Sequence, residues 1–409
     1  MSNSQDVSEL MANESFCSMA WTHQFVDPTG RVKPCCRFEE GFRPPENSLS
    51  KSSFKELFEG PWMTGVRAKM VRGEKVDGCK RCYEEQSAGK KSLRQRYNSS
   101  GQLPVTQSID LNKPEIKWLE LAISNQCNLA CRMCDSRYSW KWFDEELAMN
   151  GWAKSPTKDS KIDIQEVFPF IPTLMHLKFT GGEPLITKDH WALIEKLIKE
   201  RDCSEIFLNY STNCTISPKD AWVAMWDKFK FVEFALSFDS ADKNEAEYIR
   251  WPAKFETIEA TTRAFFKLTA DPKYRLILRT TVSILNVWNL PETILWWLQN
   301  HPPRGTVVVN PTHLTHPDFL SITVLPEAAK QRVSAKFSTY MNGDYPEPLK
   351  RNLDYINRHM LSRDNSTKLE ELSYYLAKTD SYRKQKFTDL YPHFNDLFER
   401  NPMTQPVEI

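Results

Sequence analysis

The stretch "SNQCNLACRMCDSRYSW" holds Cys127-x3-Cys131-x2-Cys134, three thiols within eight positions and no fourth. Thiolates are soft ligands that suit zinc or an iron-sulfur cluster, and closed structural zinc sites take four protein ligands. Three thiolates therefore leave one position open. Either a fourth ligand arrives from elsewhere in the chain, with His176 and His190 as candidates, or a bound molecule takes the place. A second motif, "KFTGGEPL", sets Gly181, Gly182, Glu183 and Pro184 directly after a strand candidate. Adjacent glycines let the backbone approach a ligand closely, and the Glu183 carboxylate or a nearby carbonyl can receive an ammonium group.

Strands and helices that alternate must hold these motifs. The strand candidates are "EIKWLELAIS", "LMHLKFTGG", "EIFLNYSTN", "FVEFALSFDS", "YRLILRTTVS" and "GTVVVNPTHL", and between them run amphipathic segments such as "DHWALIEKLIKERD", "PKDAWVAMWDKF", "AKFETIEATTRAFFKL" and "LPETILWWLQNH". The pattern predicts an α/β fold of parallel strands joined by right-handed helical crossovers, in a TIM-like barrel or a doubly wound sheet. In both, working residues sit where strands end. The chemistry-bearing motifs fall at those ends. Residues 1–110 read as irregular and rich in Pro and Cys, closing on a linker, "YNSSGQLPVTQS"; after the core, "PLKRNLDYINRHMLS", "STKLEELSYYLAKTD" and "FTDLYPHFNDLFER" read as three tail helices.

The chain has 409 residues, with 54 basic and 53 acidic side chains. That balance gives no global reason to expect nucleic acid or a membrane surface as partner. The basic run "KKSLRQR" (Lys90 to Arg96) reads as a solvated helix face, with nucleic-acid contact as its alternative. The start, "MSNSQDVSEL", lacks signal-peptide character, and no stretch reaches the roughly 20 apolar residues of a membrane span. The expectation is a cytoplasmic protein. In a reducing compartment cysteines serve metals or redox chemistry more often than disulfides, and all ten lie in the first 214 residues.

Near the N-terminus, Cys17, Cys35, Cys79 and Cys82 provide four thiolates, enough to close either a zinc site or a 4Fe-4S cluster. Cys36, beside Cys35, either exchanges with it as ligand or stays free. Cys203, at the end of a helix candidate, reads as a packing residue.

The CxxxCxxC loop and the Gly-Gly-Glu-Pro turn together resemble the radical S-adenosylmethionine (SAM) superfamily. The resemblance implies a partial (β/α)6 TIM-like barrel and a catalytic 4Fe-4S cluster on Cys127, Cys131 and Cys134. The amino and carboxylate groups of SAM would take the open iron. An electron from the cluster would then cleave the sulfonium bond to give a 5'-deoxyadenosyl radical that abstracts hydrogen from a second substrate. The resemblance runs on through "YSTNCT", which implies Ser211 and Asn213 near SAM. Through "ALSFDSADKNEAEYIR" it implies Ser237 and Asp239 near the ribose or amino acid moiety and Arg250 near the SAM carboxylate. Met133 stands where the family usually has an aromatic residue against the adenine, and Cys214 stands where it often has Gly. Cys214 reads as a packing replacement or, as in epimerising members, a hydrogen-atom donor.

The Cys17-x12-Gly30-x4-Cys35 arrangement resembles the twitch and SPASM domains that hold auxiliary clusters, here placed before the barrel. It favours a second, auxiliary 4Fe-4S cluster over zinc. The implied division is an auxiliary-cluster domain at 1–110, a barrel at 111–315 and a helical extension at 316–409. The function expected is modification of a peptide or protein substrate. The alternatives are the same radical chemistry on a small molecule (sugar, nucleoside or cofactor precursor), for which His313 and His316 would hold a polar substrate, or a non-catalytic sensor module. A low-potential electron donor such as flavodoxin or ferredoxin is the implied redox partner.

Overall fold

The computed structural model describes residue 10 and residues 13–87, 89, 91–99, 109–302 and 308–398. The opening nine residues, positions 100–108 of the expected linker, Lys90 of the basic run, and 305–307 of the last strand candidate lie outside them.

The strands are β1 (His23–Val26), β2 (Val32–Lys33), β3 (Trp118–Ala122), β4 (His176–Thr180), β5 (Phe207–Thr212), β6 (Phe231–Ser237), β7 (Tyr274–Arg279), β8 (Thr281–Val282), β9 (Val308–Val309) and β10 (Thr312–His313). The main sheet runs β2-β1-β3-β4-β5-β6-β7-β9, with β10-β8 as a separate pair. From β3 to β9 the strands follow chain order, and β3·β4, β4·β5 and β7·β9 are parallel. Helices intervene, among them Lys188–Glu200, Phe255–Leu268 and Leu290–Asn300. This is the partial (β/α)6 TIM-like arrangement.

The chain divides into two compact units, Met1–Gln126 with Asp159–Tyr210 and Asp220–Val232, and Cys127–Lys158 with Ser211–Lys219 and Glu233–Ile409. In the first, the period of two in the strands separates two faces. Leu119, Leu121, Leu177, Phe179, Leu208 and Tyr210 form one, all buried, with the His190 ring of Lys188–Glu200 edge-on to Phe179 at 4.4 Å. The opposite face carries Trp118, Glu120, His176, Lys178 and Asn209. There the parallel register sets Glu120 beside Lys178, whose Nζ lies 2.7 Å from the carboxylate, and Trp118 stacks on His176 at 4.5 Å. The polar groups Glu120 and His176 of this face are buried and paired with Lys178 and Asn209.

The N-terminal segment is not irregular. β1 pairs in parallel with β3, His23 opposite Trp118 and Val26 opposite Leu121, and continues the barrel sheet. Its four residues, HQFV, are all buried, so no polar-apolar alternation announced them. Helices follow at Phe54–Glu59, opened by a Ser53/Glu56 capping box, and at Pro61–Val71, Lys80–Ser87 and Leu93–Ser99.

In the second unit, the tail holds Glu327–Asn342, which the periodicity did not suggest, then Glu347–Leu361 and Leu369–Arg383. The third expected tail helix breaks into Phe387–Leu390 and a 3-10 turn, Pro392–Phe398, because Pro392 has no N–H to continue the ladder. Pro311 likewise parts β9 from β10 where one strand was expected.

Candidate functional site

In the second unit, the three-cysteine loop follows the end of its strand without forming a helix. Cys127 is buried, and Cys131 and Cys134 are half-buried. Burial pushes the Cys134 thiol well up, and Asp135, Cys131 and Cys127 add to the shift, so the three sulfurs lie within electrostatic reach of one another. Two nitrogen donors aim at them. Asn213 Nδ2 is 3.7 Å from Cys127 Sγ, and Arg250 Nη1 is 3.9 Å from Cys131 Sγ. Donors to ligand sulfur are a standard lever on cluster potential.

Arg250 also pairs with the wholly buried Asp239, Nη2 to Oδ2 2.7 Å. Burial opposes its charge, but the Asp239 carboxylate and the Cys131 and Cys214 sulfurs outweigh burial and raise the guanidinium. Asp239 is fixed in turn by the Thr281 N–H at 2.9 Å. Among the described residues, Arg250 Nε is buried with no hydrogen-bond partner. An anionic ligand would satisfy it.

Ser211 and Ser237 are half-buried at strand ends, and Met133 is half-buried in the loop. Cys214 is fully buried with φ +60°, a left-handed backbone that disfavours any side chain. The position has glycine geometry. Its Sγ lies 3.8 Å from the Thr212 carbonyl. His313 donates or accepts at Nδ1 with the Tyr355 hydroxyl, 2.8 Å, and stacks on His359; His316 Nε2 lies 3.3 Å from Arg137.

In the first unit, the Gly-Gly-Glu-Pro turn packs on the chain that leads into Cys127. The Gly182 N–H donates to the Ser124 carbonyl (2.9 Å) and the Glu183 N–H to the Gln126 carbonyl (2.8 Å). Gly181 has φ +101°, and a Cβ on Gly182 would sit 2.2 Å from the Gln126 oxygen. Both glycines are required by geometry. The Glu183 carboxylate, fully buried, accepts from the Leu185 N–H at 3.1 Å and so caps the next turn. His176 and His190 are committed to the unit's core: His176 bonds Asn209, and His190 Nε2 lies 2.8 Å from the Tyr210 hydroxyl.

The N-terminal thiols also lie in this unit. Cys17, Cys35 and Cys79 pack on a core of Phe16, Trp21, Phe38, Val66 and Met70. Burial pushes Cys35 well up, with Cys36, Cys79, Cys82 and Cys17 all contributing, and burial and then Cys82 push Cys17 up to about 12. Four thiols that feel one another in this way suit a cluster, which draws their protons off on binding. Cys36, the largest thiol contributor to the Cys35 shift, also has a partner outside this group. Its thiol is pushed up to about 11 by burial and then by the Glu120 carboxylate, to which it is hydrogen-bonded. We therefore expect Cys35→Ala to lose the N-terminal iron and Cys36→Ala to keep it, read as iron per chain after anaerobic reconstitution; equal losses would make Cys36 a ligand.

Arg94, inside the basic run, is not on a solvated face. It is buried, donates to the Asn13 (2.8 Å) and Phe16 (3.0 Å) carbonyls, and lowers the neighbouring Cys17 and Cys79 thiols. A buried cation beside four thiolates offsets their charge. Only its burial distinguishes it from its solvated neighbours.

Residues 121–286 match the Radical SAM superfamily, and residues 17–83 match SPASM, the iron-sulfur cluster-binding domain. The chain carries a radical SAM domain preceded by a SPASM domain. The radical SAM domain implies a 4Fe-4S cluster and SAM, and the SPASM domain implies an auxiliary iron-sulfur cluster. Curated relatives include GTP 3',8-cyclase from Pasteurella multocida (strain Pm70), 25% identical over 163 residues that cover 38% of this chain and 43% of the relative. Another is GTP 3',8-cyclase from Haemophilus influenzae (strain PittEE), 23% identical, covering 47% of this chain and 53% of the relative. The chain thus spans about half the length of the curated relatives it matches. Similar solved structures include native anSMEcpe with bound AdoMet (15% identity, 61% of this chain and 67% of that chain, TM-score 0.40). Streptococcus suis SuiB bound to precursor peptide SuiA is another (14% identity, 65% and 59%, TM-score 0.36). Among the described residues no helix is long and apolar enough to cross a membrane.

Proposed function

We propose that this protein is a radical SAM enzyme acting on a peptide or protein side chain or backbone, with residues 1–110, 111–315 and 316–409 as auxiliary-cluster domain, barrel and helical extension. The observation that carries the reading is the Cys127–Cys134 loop with two nitrogen donors on its sulfurs and an orphaned Arg250 N–H beside them. When bound, the cluster supplies the electron that cleaves SAM and so provides the 5'-deoxyadenosyl radical.

The chain's own part is placement. Cys127, Cys131 and Cys134 would hold the cluster and leave one iron for SAM. Arg250, kept charged by Asp239, would meet its carboxylate, and Gly181, Gly182, Glu183 and Pro184 would receive its amino group. Ser211, Asn213 and Ser237 bond the polar remainder, and Met133 covers the adenine. Cys214 is a candidate hydrogen donor to a substrate radical. Cys17, Cys35, Cys79 and Cys82 would hold an auxiliary cluster, which would supply a second redox centre. A flavodoxin or ferredoxin in a reducing cytoplasm supplies the first electron.

A second reading is favoured by the curated relatives, both GTP 3',8-cyclases: the same chemistry on a nucleotide. The test is anaerobic reconstitution, iron and sulfide counting, and electron paramagnetic resonance with and without SAM. About eight irons per chain with one SAM-sensitive signal is the expected result; no SAM-sensitive signal would remove the enzyme reading. Formation of 5'-deoxyadenosine above background with GTP, and not with peptide libraries, would move the substrate to the second reading.

A further inference from the structure

Four consecutive carbonyls of the cysteine loop each accept a side-chain hydrogen bond. Leu129 O takes Ser139 Oγ (2.5 Å), Ala130 O takes Arg383 Nη2 (2.8 Å), Cys131 O takes Trp142 Nε1 (2.7 Å) and Arg132 O takes the Tyr375 hydroxyl (2.6 Å). On the other side, the Ala130 and Arg132 N–H groups donate to the Trp251 (2.6 Å) and Ile249 (2.8 Å) carbonyls. Two of the four carbonyl donors, Tyr375 and Arg383, come from one tail helix, Leu369–Arg383.

The same helix takes hold of the loop a third time. Arg132, between two of the thiols and wholly buried, donates to Thr379 Oγ1 (2.6 Å), Asp380 Oδ1 (2.5 Å) and Gln385 Oε1 (2.9 Å), and its guanidinium lies 3.6 Å over the Tyr248 ring. Asp380 is itself fixed by the Tyr248 hydroxyl (2.9 Å) and the Phe387 N–H (2.7 Å). Arg383, also wholly buried, pairs with Glu145 at 2.6 Å. A buried cation bonded as fully as Arg132 specifies one arrangement of its surroundings, since any other leaves a charge without a partner.

We propose that the tail helix Leu369–Arg383 is a strut of the cysteine loop, with Tyr375, Asp380 and Arg383 as positioning residues that hold the three thiols ready for iron. The proposal rests on the reading of Cys127, Cys131 and Cys134 as cluster ligands. A loop that must gather three mutually repelling thiolates gains from being fixed before metal arrives, because the ordering cost is then met by the fold. It gives the tail a task in cluster retention without any contact to substrate.

The test uses the full chain with Tyr375→Phe, which removes one hydroxyl and no volume. Arg383→Lys serves as a second variant that keeps the charge but cannot fork between Ala130 O and Glu145. Tyr374→Phe is the control, on the same helix with its side chain half in solvent. In metal-free protein, hydrogen exchange at the Cys131–Cys134 amides is expected to rise about five- to tenfold in the first two variants. In reconstituted protein, loss of the SAM-sensitive resonance to a chelator is expected to quicken by a similar factor, with no change in the auxiliary signal. Unchanged exchange and unchanged iron loss in a folded Tyr375→Phe or Arg383→Lys protein would overturn the strut. Raised exchange in a chain that never assembles a SAM-sensitive cluster would uphold the strut and bring down the ligand reading instead.

Discussion

Arg250→Ala is expected to destabilise the protein by about 3–5 kcal/mol and to abolish its response to SAM. The first effect follows from burial: Asp239 has no exposure worth the name, and removal of its cation leaves a carboxylate uncompensated in a low-dielectric site. For a chain of 409 residues the thermal midpoint would fall by roughly 5 °C. The second effect follows from the proposed contact with the SAM carboxylate, and the two are separable. Asp239→Asn combined with Arg250→Met removes both charges at similar volume, which tends to restore stability. The Asn carbonyl can still accept from the Thr281 N–H. That double variant is expected to melt near the parent and still give a resonance indifferent to SAM. If its SAM response returned with its stability, the pair would be structural only.

Gly182→Ala is expected to weaken SAM binding by at least about 100-fold, the cost of displacing a positioned group by an ångström. The added methyl would stand 2.2 Å from the Gln126 carbonyl oxygen and 2.6 Å from its carbon, and backbone cannot turn aside as a side-chain tip can. The Glu183 N–H bond to Gln126 would open with it, and that residue enters Cys127 directly. Equilibrium binding of SAM to the reconstituted variant is the measurement. Gly41→Ala, at an exposed glycine with nothing within 4 Å of the new carbon, is the matched control and should change stability by less than about 0.5 kcal/mol. A Gly182→Ala protein that bound SAM as tightly as its parent would remove this turn from the site.

The barrel was legible because β3 to β7 carry apolar residues at alternate positions between turn residues, with amphipathic helices between them, and the strand candidates fell on the observed strands. The motifs at their ends stood out because clustered Cys and a Gly-Gly pair are costly in those places without a reason, whereas Arg250 was marked only by the family resemblance. What the sequence concealed were elements defined by partners far along the chain. β1 is four residues long and shows no alternation; only its pairing with β3 makes it a strand. Arg94, Arg132 and Arg383 look like surface cations, since nothing local shows that carbonyls from distant segments accept from their guanidinium groups. The assignment of Cys36 depended on Glu120, on a different strand.

The pairing of β1 with β3 also bears on how the auxiliary site can be studied. A deletion of the first 110 residues would not release a tidy barrel, because β3 would lose its neighbour and present a bare row of amides and carbonyls along Trp118–Ala122. Such an edge recruits other strands, so the truncated chain would aggregate before its catalysis could be assayed. The contribution of the N-terminal thiols is therefore accessible through single cysteine substitutions in the whole chain, where the sheet keeps its border.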